Sequence, residues 1–380
     1  MQKKLIAFAV AGALASPMVF AQSSVTIYGI ADGGIEWANN GANHATRVQS
    51  GQQSGSRLGF KGTEDIGNGL SALFVLEMGI AMDNGTYSTH ATNGGNSSTD
   101  VIPFARQAFV GLKSVNAGQV TLGRQVTPFY IIKTQADPFA LGLNGTINNL
   151  AGVVPGNFDR WNNQVAYMSP KWSGFSVGAA YSTGVENVGT AAANASTAPD
   201  AGKSFGLLTQ YSDGPVYVGL AYHHTRASAA TTTPTGGPSV AGATDVATAK
   251  GWYLGTSYNF GVAKLFVNYL TGKQTQDGVS GNLADGNLIN VGVKVPFGVH
   301  AVTLGYAKAK NKVSPDADAR QLAIGYEYAF SKRTNLYAAY AKIDNGSNSS
   351  RALGNGIAQG LTVSAGGDPT SLMVGMRHQF

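Results

Sequence analysis

The chain has 380 residues, with 26 Lys and Arg, 20 Asp and Glu, 51 Gly and no Cys. Only 12% of its residues are charged, against about 25% in an ordinary soluble domain, yet the mean hydropathy is only −0.04. This composition excludes a helical membrane protein, which should be clearly hydrophobic, and a highly charged disordered chain. The absence of Cys excludes disulfides, iron–sulfur clusters and thiolate chemistry.

The first 21 residues predict a secretory signal peptide. Lys3 and Lys4 precede a short apolar run at 5–15, and a small-residue cleavage site ends at Ala21. Because no longer apolar run follows, a cleaved signal is preferred to an N-terminal anchor. Cleavage removes two lysines, which lowers the formal net charge from +6 to +4. Residues 22–380 are expected to form a single domain.

The rest of the chain shows a period of two. In the first segment Val25, Ile27 and Ile35 share one parity, whereas Thr26 and Glu36 share the other. This alternation is typical of a β-strand with two different faces. Sixteen such segments can be counted: 25–37, 55–65, 69–82, 104–113, 119–125, 163–169, 174–184, 204–212, 215–226, 250–260, 262–273, 287–296, 299–311, 320–330, 334–344 and 372–380.

The connections between these segments alternate in length. Short turns such as 114–118 and 213–214 are followed by long polar connections such as 185–203 and 227–249. Hydrocarbon cannot satisfy free backbone N–H and C=O groups, so strands that cross a membrane must form a closed sheet. The pattern predicts an all-β fold, a 16-stranded antiparallel transmembrane β-barrel with short periplasmic turns and long external loops. A soluble, secreted β-protein is the alternative, but its inward parity should be bulky and aliphatic.

Four stretches carry a family resemblance: SVTIYGIAD, SRLGFKGTEDIGNG, FARQAFVGLKSVNAGQVTLGRQ and the terminal LMVGMRHQF. With them the chain resembles the general porins of beta-proteobacteria. The resemblance implies a homotrimeric channel in the Gram-negative outer membrane that passes small hydrophilic solutes and ions. It also implies contact with outer-membrane lipid and lipopolysaccharide, and recognition of the terminal Phe380 by the outer-membrane assembly machinery. The second external loop, 83–103, is expected to latch onto a neighbouring subunit.

The connection from 126 to 162 is unusually apolar for a loop that is exposed to water. It contains three prolines together with side chains such as Phe129 and Phe139. By the resemblance it is the third external loop, which folds into the lumen of the barrel. An ordinary external loop with a short helix is the alternative.

The predicted wall could offer four basic residues to this loop: Arg57, Lys61, Arg106 and Arg124. Arg57 and Lys61 alternate with apolar neighbours, so they should point inward. Arg106 and Arg124 share parity with apolar neighbours, and only a bulge or a strand end would admit Arg124 to the lumen. Arg160 lies at the exit of the loop. An unpaired Arg on the lipid face costs about 2–4 kcal/mol, which favours lumen or rim positions for all of these arginines.

The loop contributes Asp137 and Asp159. A basic wall opposite an acidic loop would create a transverse field across the narrowest section of a pore. Glu77, Glu36 and Asp32 are expected to face the lumen and to pair with the bases. An equally weighted alternative is that the arginines only brace the loop through salt bridges. The positive charge and the few loop acids predict a weak preference for anions.

Nothing in the sequence indicates catalysis, a cofactor or a metal. The six His lack metal-ligand spacing, and no nucleophile or phosphate-binding motif appears in a suitable context. The basic residues are scattered singly in an exported chain, which argues against nucleic-acid binding. Three classes of function remain: a passive channel, which the sequence favours; an outer-membrane enzyme; and a substrate-specific channel or an adhesin that acts through its loops.

Overall fold

The computed structural model describes residues 24–88, 103–184, 200, 202–228, 246–354 and 361–380. The predicted signal peptide and most of the predicted latching loop lie outside these ranges. The described residues form one antiparallel sheet of eighteen strands: β1 Ser24–Asn39, β2 His44–Ser50, β3 Arg57–Gly67, β4 Leu70–Ile80, β5 Tyr87–Ser88, β6 Gln107–Ser114, β7 Gly118–Val126, β8 Arg160–Met168, β9 Phe175–Thr183, β10 Lys203–Asp213, β11 Val216–Ser228, β12 Val246–Asn259, β13 Lys264–Gln276, β14 Ala284–Phe297, β15 His300–Asn311, β16 Ala319–Ala329, β17 Thr334–Asn345 and β18 Thr370–Gln379.

The sheet closes on itself through its first and last strands. β1 pairs with β18 from Ile30 opposite Gln379 to Asn39 opposite Thr370. The first half of β1 pairs with β3 and its second half with β2, so β2 and β3 occupy one position in the wall. β5 and β6 likewise both pair with β4. The eighteen strands therefore fill sixteen positions, which confirms the predicted 16-stranded barrel.

Exposure alternates along the strands as the sequence predicts. In β12 the side chains of Trp252 and Leu254 are 50% and 42% exposed, whereas Tyr253 between them is fully buried. Large apolar side chains occupy the outer face, and buried polar side chains such as Asn268 and Gln321 occupy the inner face. A soluble β-barrel has the reverse arrangement, so the exposed apolar belt favours a lipid-facing wall. No helix within the described ranges is long and apolar enough to cross a membrane.

The connection between β7 and β8 holds two helices, Pro128–Ala136 and Asn148–Ala151. The first helix begins at a proline whose missing N–H costs nothing in the first turn. The Thr127 side chain caps this helix by accepting a hydrogen bond from the N–H of Tyr130. The N–H of Thr127 also donates to the carbonyl of Asp159 over 3.0 Å. Residues 127–159, called the long loop below, therefore leave and rejoin the wall at one point.

Candidate functional site

The long loop packs closely on the inner face of the wall because glycines occupy the wall positions beneath the loop. A methyl group at Gly255 would lie 2.7 Å from both Ala136 and Ile132 of the loop, and one at Gly305 would lie 2.6 Å from the ring of Phe139. Each loop side chain thus occupies the space of a missing wall side chain. The residues of this glycine seat are Gly206, Gly219, Gly251, Gly255, Gly272, Gly286, Gly292, Gly305 and Gly325.

Polar side chains of the wall fix the loop at several strands. The His223 ring stacks on Phe129 with a centroid distance of 3.8 Å, and its Nε2 accepts a hydrogen bond from the N–H of Phe129 over 3.2 Å. Its Nδ1 lies 3.2 Å from the carbonyl of Gly156, which assigns the proton to Nδ1. The Gln321 amide donates to the carbonyl of Gly145 over 2.8 Å. The start, middle and end of the loop are therefore all attached to the wall.

A cluster of four arginines and one acid lies on five consecutive barrel positions, beside the start of the long loop. These residues, called the arginine cluster below, are Arg57, Glu77, Arg106, Arg124 and Arg160. Nε of Arg106 pairs with Oε1 of Glu77 over 2.7 Å, and both side chains are at most 5% exposed. This pair leaves a net excess of three positive charges in the cluster. Arg57 lies within electrostatic range of Arg106, Glu77 and Arg160.

Arg160 joins this cluster to the long loop. Its guanidinium lies 5.0 Å from the centroid of the Tyr130 ring, and its Nε donates to the carbonyl of Arg106 over 2.7 Å. Arg106 and Arg160 are each 3% exposed. Both guanidinium groups are therefore largely shielded from solvent.

Local backbone geometry explains why Arg124 and Arg106 face inward against the strand parity. The pairing of β7 with β8 shifts register between Gly123 and Gln125, and this irregularity re-aims the side chain between them. Arg124 then donates to the carbonyl of Ala105 and to the side chain of Asn162. Its Nη2 has no hydrogen-bond partner among the described residues. Arg106 precedes β6, so strand parity does not apply to it.

The expectation that Asp137 lines a pore is wrong. The side chain of Asp137 is 2% exposed and its Oδ2 accepts a hydrogen bond from the N–H of Leu141 over 2.8 Å. Burial raises the pKa of Asp137 to about 7. The carboxylate of Asp159 pairs with the ammonium of Lys133, which also donates to Asn148 over 3.1 Å. These two acids thus hold the loop together, because its turn and its buried lysine need acceptors.

The remaining predicted residues have separate partners. Lys61 is exposed, with its Nζ 5.1 Å from the centroid of the Tyr28 ring, and the Tyr28 hydroxyl donates to Glu77 over 3.0 Å. Glu36 pairs with Arg47 over 2.8 Å instead of with the arginine cluster.

Asp32 also departs from the expectation that it pairs with a base. It accepts hydrogen bonds from the Tyr337 hydroxyl and from two backbone N–H groups, those of Gln53 and Ser54. Two of the three wall acids that were expected to pair with these bases therefore stabilise other parts of the wall.

The segment 51–54, between β2 and β3, was not predicted to have a role. Its Gln52 carbonyl accepts a hydrogen bond from the N–H of Leu143 at the tip of the long loop. The Gln53 side chain donates to Glu327 over 3.1 Å and accepts from Asn335 over 2.7 Å. The segment thus connects the loop tip to the nearby strands β16 and β17. Its Gly, Ser and Gln composition gave no signal beyond that of an ordinary turn.

Phe380 lies at the seam where the barrel closes. Its backbone exchanges two hydrogen bonds of 3.1 Å with Gly29 of β1, and its ring occupies the space that a side chain at Gly29 would need. The terminal residue therefore extends the contact between the last strand and the first.

Comparison with known proteins identifies the family to which this arrangement belongs. A family model described as Gram-negative porin matches residues 7–348. The chain belongs to the Gram-negative porin family. Outer membrane porin protein 32 of Delftia acidovorans is 36% identical to this porin over the full length of both chains. An outer membrane porin of Bordetella pertussis is 32% identical, with 90% of this chain and 94% of that protein covered.

Solved structures agree with this assignment. The anion-selective porin from Comamonas acidovorans superposes with a TM-score of 0.78 at 30% identity, and 94% of this porin and all of that chain are covered. The loop-deletion form of OmpT from Vibrio cholerae superposes with a TM-score of 0.66 at 18% identity, with 94% and 99% of the chains covered. The latter shares the fold alone. This porin is an outer-membrane β-barrel channel.

Proposed function

We propose that this porin is a passive, non-enzymatic channel for small hydrophilic solutes and ions, with a preference for anions. In this proposal the long loop forms the narrowest section of a water-filled lumen, and the arginine cluster makes one side of that section positive. The observation that carries the proposal is the imbalance of four arginines against one glutamate on adjacent barrel positions. The solved relative described as anion-selective supports the same sign.

The acids of the long loop do not neutralise the arginine cluster. Asp159 is paired with Lys133 inside the loop, and Asp137 is buried, so neither acid offsets the arginine cluster as an exposed counter-charge. Guanidinium groups stay charged at any pH that a protein experiences. In a narrow section with low-dielectric walls, uncompensated charge raises the local concentration of ions of the opposite sign. Chloride and small organic anions should therefore pass more readily than cations of similar size.

Assembly and export belong to the same proposal. We infer that residues 1–21 are removed on export, that residues 22–380 form one barrel domain, and that three copies associate. The apolar outer belt, with side chains such as Trp252 and Leu254 about half exposed, would contact lipid, lipopolysaccharide and neighbouring subunits. The exposed Phe380 at the barrel seam is available to the outer-membrane assembly machinery.

Planar-bilayer recording of the purified protein under a KCl gradient tests the proposal. Stepwise ohmic currents are expected, with a reversal potential shifted toward the chloride equilibrium potential. A reversal potential shifted toward potassium would contradict the anion preference. A silent bilayer, with protein that is shown to be folded and inserted, would contradict the channel and favour an enzyme or an adhesin.

A further inference from the structure

The inner wall between the long loop and the short-turn edge contains a recess of about 560 Å³. Three small residues of its lining, Thr121, Ala166 and Ala180, lie side by side on adjacent strands. The neighbouring rows mix small residues such as Gly123 and Gly178 with larger ones that line the recess, namely Phe109, Gln119, Gln164 and Met168. Small side chains with larger ones around them leave a depression. Pro128 and Ile131 of the loop helix border it from above.

The apolar part of this lining is unexpected for a porin lumen. The inside of a transmembrane barrel is normally polar because it is in contact with water. Here Phe109, Ile131, Met168 and Leu208 all line the same recess. Concave sites with apolar walls and a few placed polar groups are the usual form of small-molecule sites. The apolar lining fits an apolar body, such as an aromatic ring.

The side-chain amides of Gln125 and Gln164 line the recess. In each amide one polar atom is hydrogen-bonded, and the other has no partner among the described residues. Gln125 accepts from the Thr121 hydroxyl over 2.6 Å, but its Nε2 has no partner among the described residues. Gln164 donates to the carbonyl of Val126 over 3.3 Å, while its Oε1 likewise lacks one. Gln125 is 7% and Gln164 2% exposed. Unsatisfied buried polar groups are unfavourable, so both gain by turning toward a solute with a carbonyl and an N–H.

The mouth of the recess is positively charged. Lys113 and Lys171, near the short turns, both line it and are exposed to solvent. Neither forms an ion pair with a residue that the structure describes. An ammonium group at the rim attracts a carboxylate without the cost of burying either charge.

We propose that this recess binds small organic anions that combine an apolar body, an amide and a carboxylate. The apolar body occupies the depression, the amide contacts Gln125 and Gln164, and the carboxylate lies near Lys113 and Lys171. The inference rests on the proposed channel, through which such a solute would reach the recess. A transported solute must also leave, so the affinity should be modest, with a dissociation constant on the order of 1 mM.

The test uses hippurate, which contains a phenyl ring, an amide and a carboxylate. Calorimetric titration into the detergent-purified porin should show saturable binding of hippurate. Acetate, which lacks the ring and the amide, should bind at least about tenfold more weakly. Ala166→Leu fills the depression and should weaken hippurate binding by a similar factor. The matched control is Ala301→Leu, at an inward-facing alanine near the short-turn end of β15, which should leave the affinity unchanged.

A second variant separates the charge at the mouth from packing in the recess. Lys113→Gln combined with Lys171→Gln alters only exposed side chains, so it should fold even if Ala166→Leu does not. The double variant should bind hippurate about as weakly as it binds hippuramide, which has a neutral amide in place of the carboxylate. Its affinity for hippuramide should equal that of the wild type. Equal affinities for hippurate and acetate would overturn the proposal. So would equal effects of Ala166→Leu and Ala301→Leu on hippurate binding.

Recording KCl currents from the same preparations distinguishes the two proposals. A protein that conducts ions but does not bind hippurate keeps its function as a channel and loses the recess as a binding site. A protein that binds hippurate but conducts no ions contradicts the channel instead.

Discussion

Phe139 seats the tip of the long loop on the barrel wall. Its ring is 5% exposed and lies where methyl groups at Gly305 and Gly325 would be 2.6 and 3.1 Å away from it. Replacing a buried Phe by Ala typically costs about 3–5 kcal/mol. The Phe139→Ala substitution destabilises only the closed conformation of the loop tip, because in the open conformation the ring is already exposed to water. Each 1.4 kcal/mol is a factor of ten in an equilibrium constant, so opening of the tip should increase by at least about 100-fold.

The absence of Cys from the chain makes this measurable. Leu141→Cys places one thiol in the partly buried tip, and its reaction rate with a charged thiol reagent reports how often the tip opens. The rate should rise in the Phe139→Ala background. Phe175→Ala is the matched control, because Phe175 is 56% exposed on the outer face and has no contact with the tip. An unchanged rate in Phe139→Ala would refute the anchoring role of Phe139.

Three further predictions concern charge, pH and assembly. Arg57→Gln combined with Arg106→Gln removes two of the four arginines and should shift the reversal potential toward cations; an unchanged potential would contradict the role of the cluster. Burial raises the pKa of Asp137 from 3.8 to about 7, so the folded loop retains a proton that the unfolded chain releases. Loop stability should therefore fall as pH rises from about 4 to about 7, and hydrogen exchange should show this in the wild type but not in Asp137→Asn. Deletion of Phe380 removes two backbone hydrogen bonds to Gly29 and should reduce the folded, heat-modifiable fraction in the outer membrane; equal amounts with and without it would contradict its role.

The sheet could be predicted from the sequence because lipid and water impose opposite requirements on alternate residues. Each of the sixteen alternating segments overlaps an observed strand. β2 was missed because its sequence, HATRVQS, is polar on most positions and shows no apolar parity. β5 is only two residues long, too short to produce a period.

The site was only partly predictable. The alternation along the strand predicted that the Arg57 side chain points inward. It also predicted that Arg124 could face inward only at a bulge or a strand end, and the register shift lies at this position. The pairing of Glu77 with Arg106 joins residues 29 positions apart and depends on the register of β4. The burial of Asp137 depends on how the loop turns against the wall, which no local pattern reveals. The recess likewise becomes visible only when four strands are placed in register.

The central inference is that the long loop sets the narrowest section of the channel. Because the N–H of Thr127 lies 3.0 Å from the carbonyl of Asp159, an Asn-Gly turn in place of residues 128–157 should leave the wall intact. The most direct measurement is the single-channel conductance of this variant beside that of the wild type, with graded neutral polymers to size the opening. A larger conductance and entry of larger polymers are predicted. An equal conductance with the same polymer cutoff would show that the loop does not constrict the lumen.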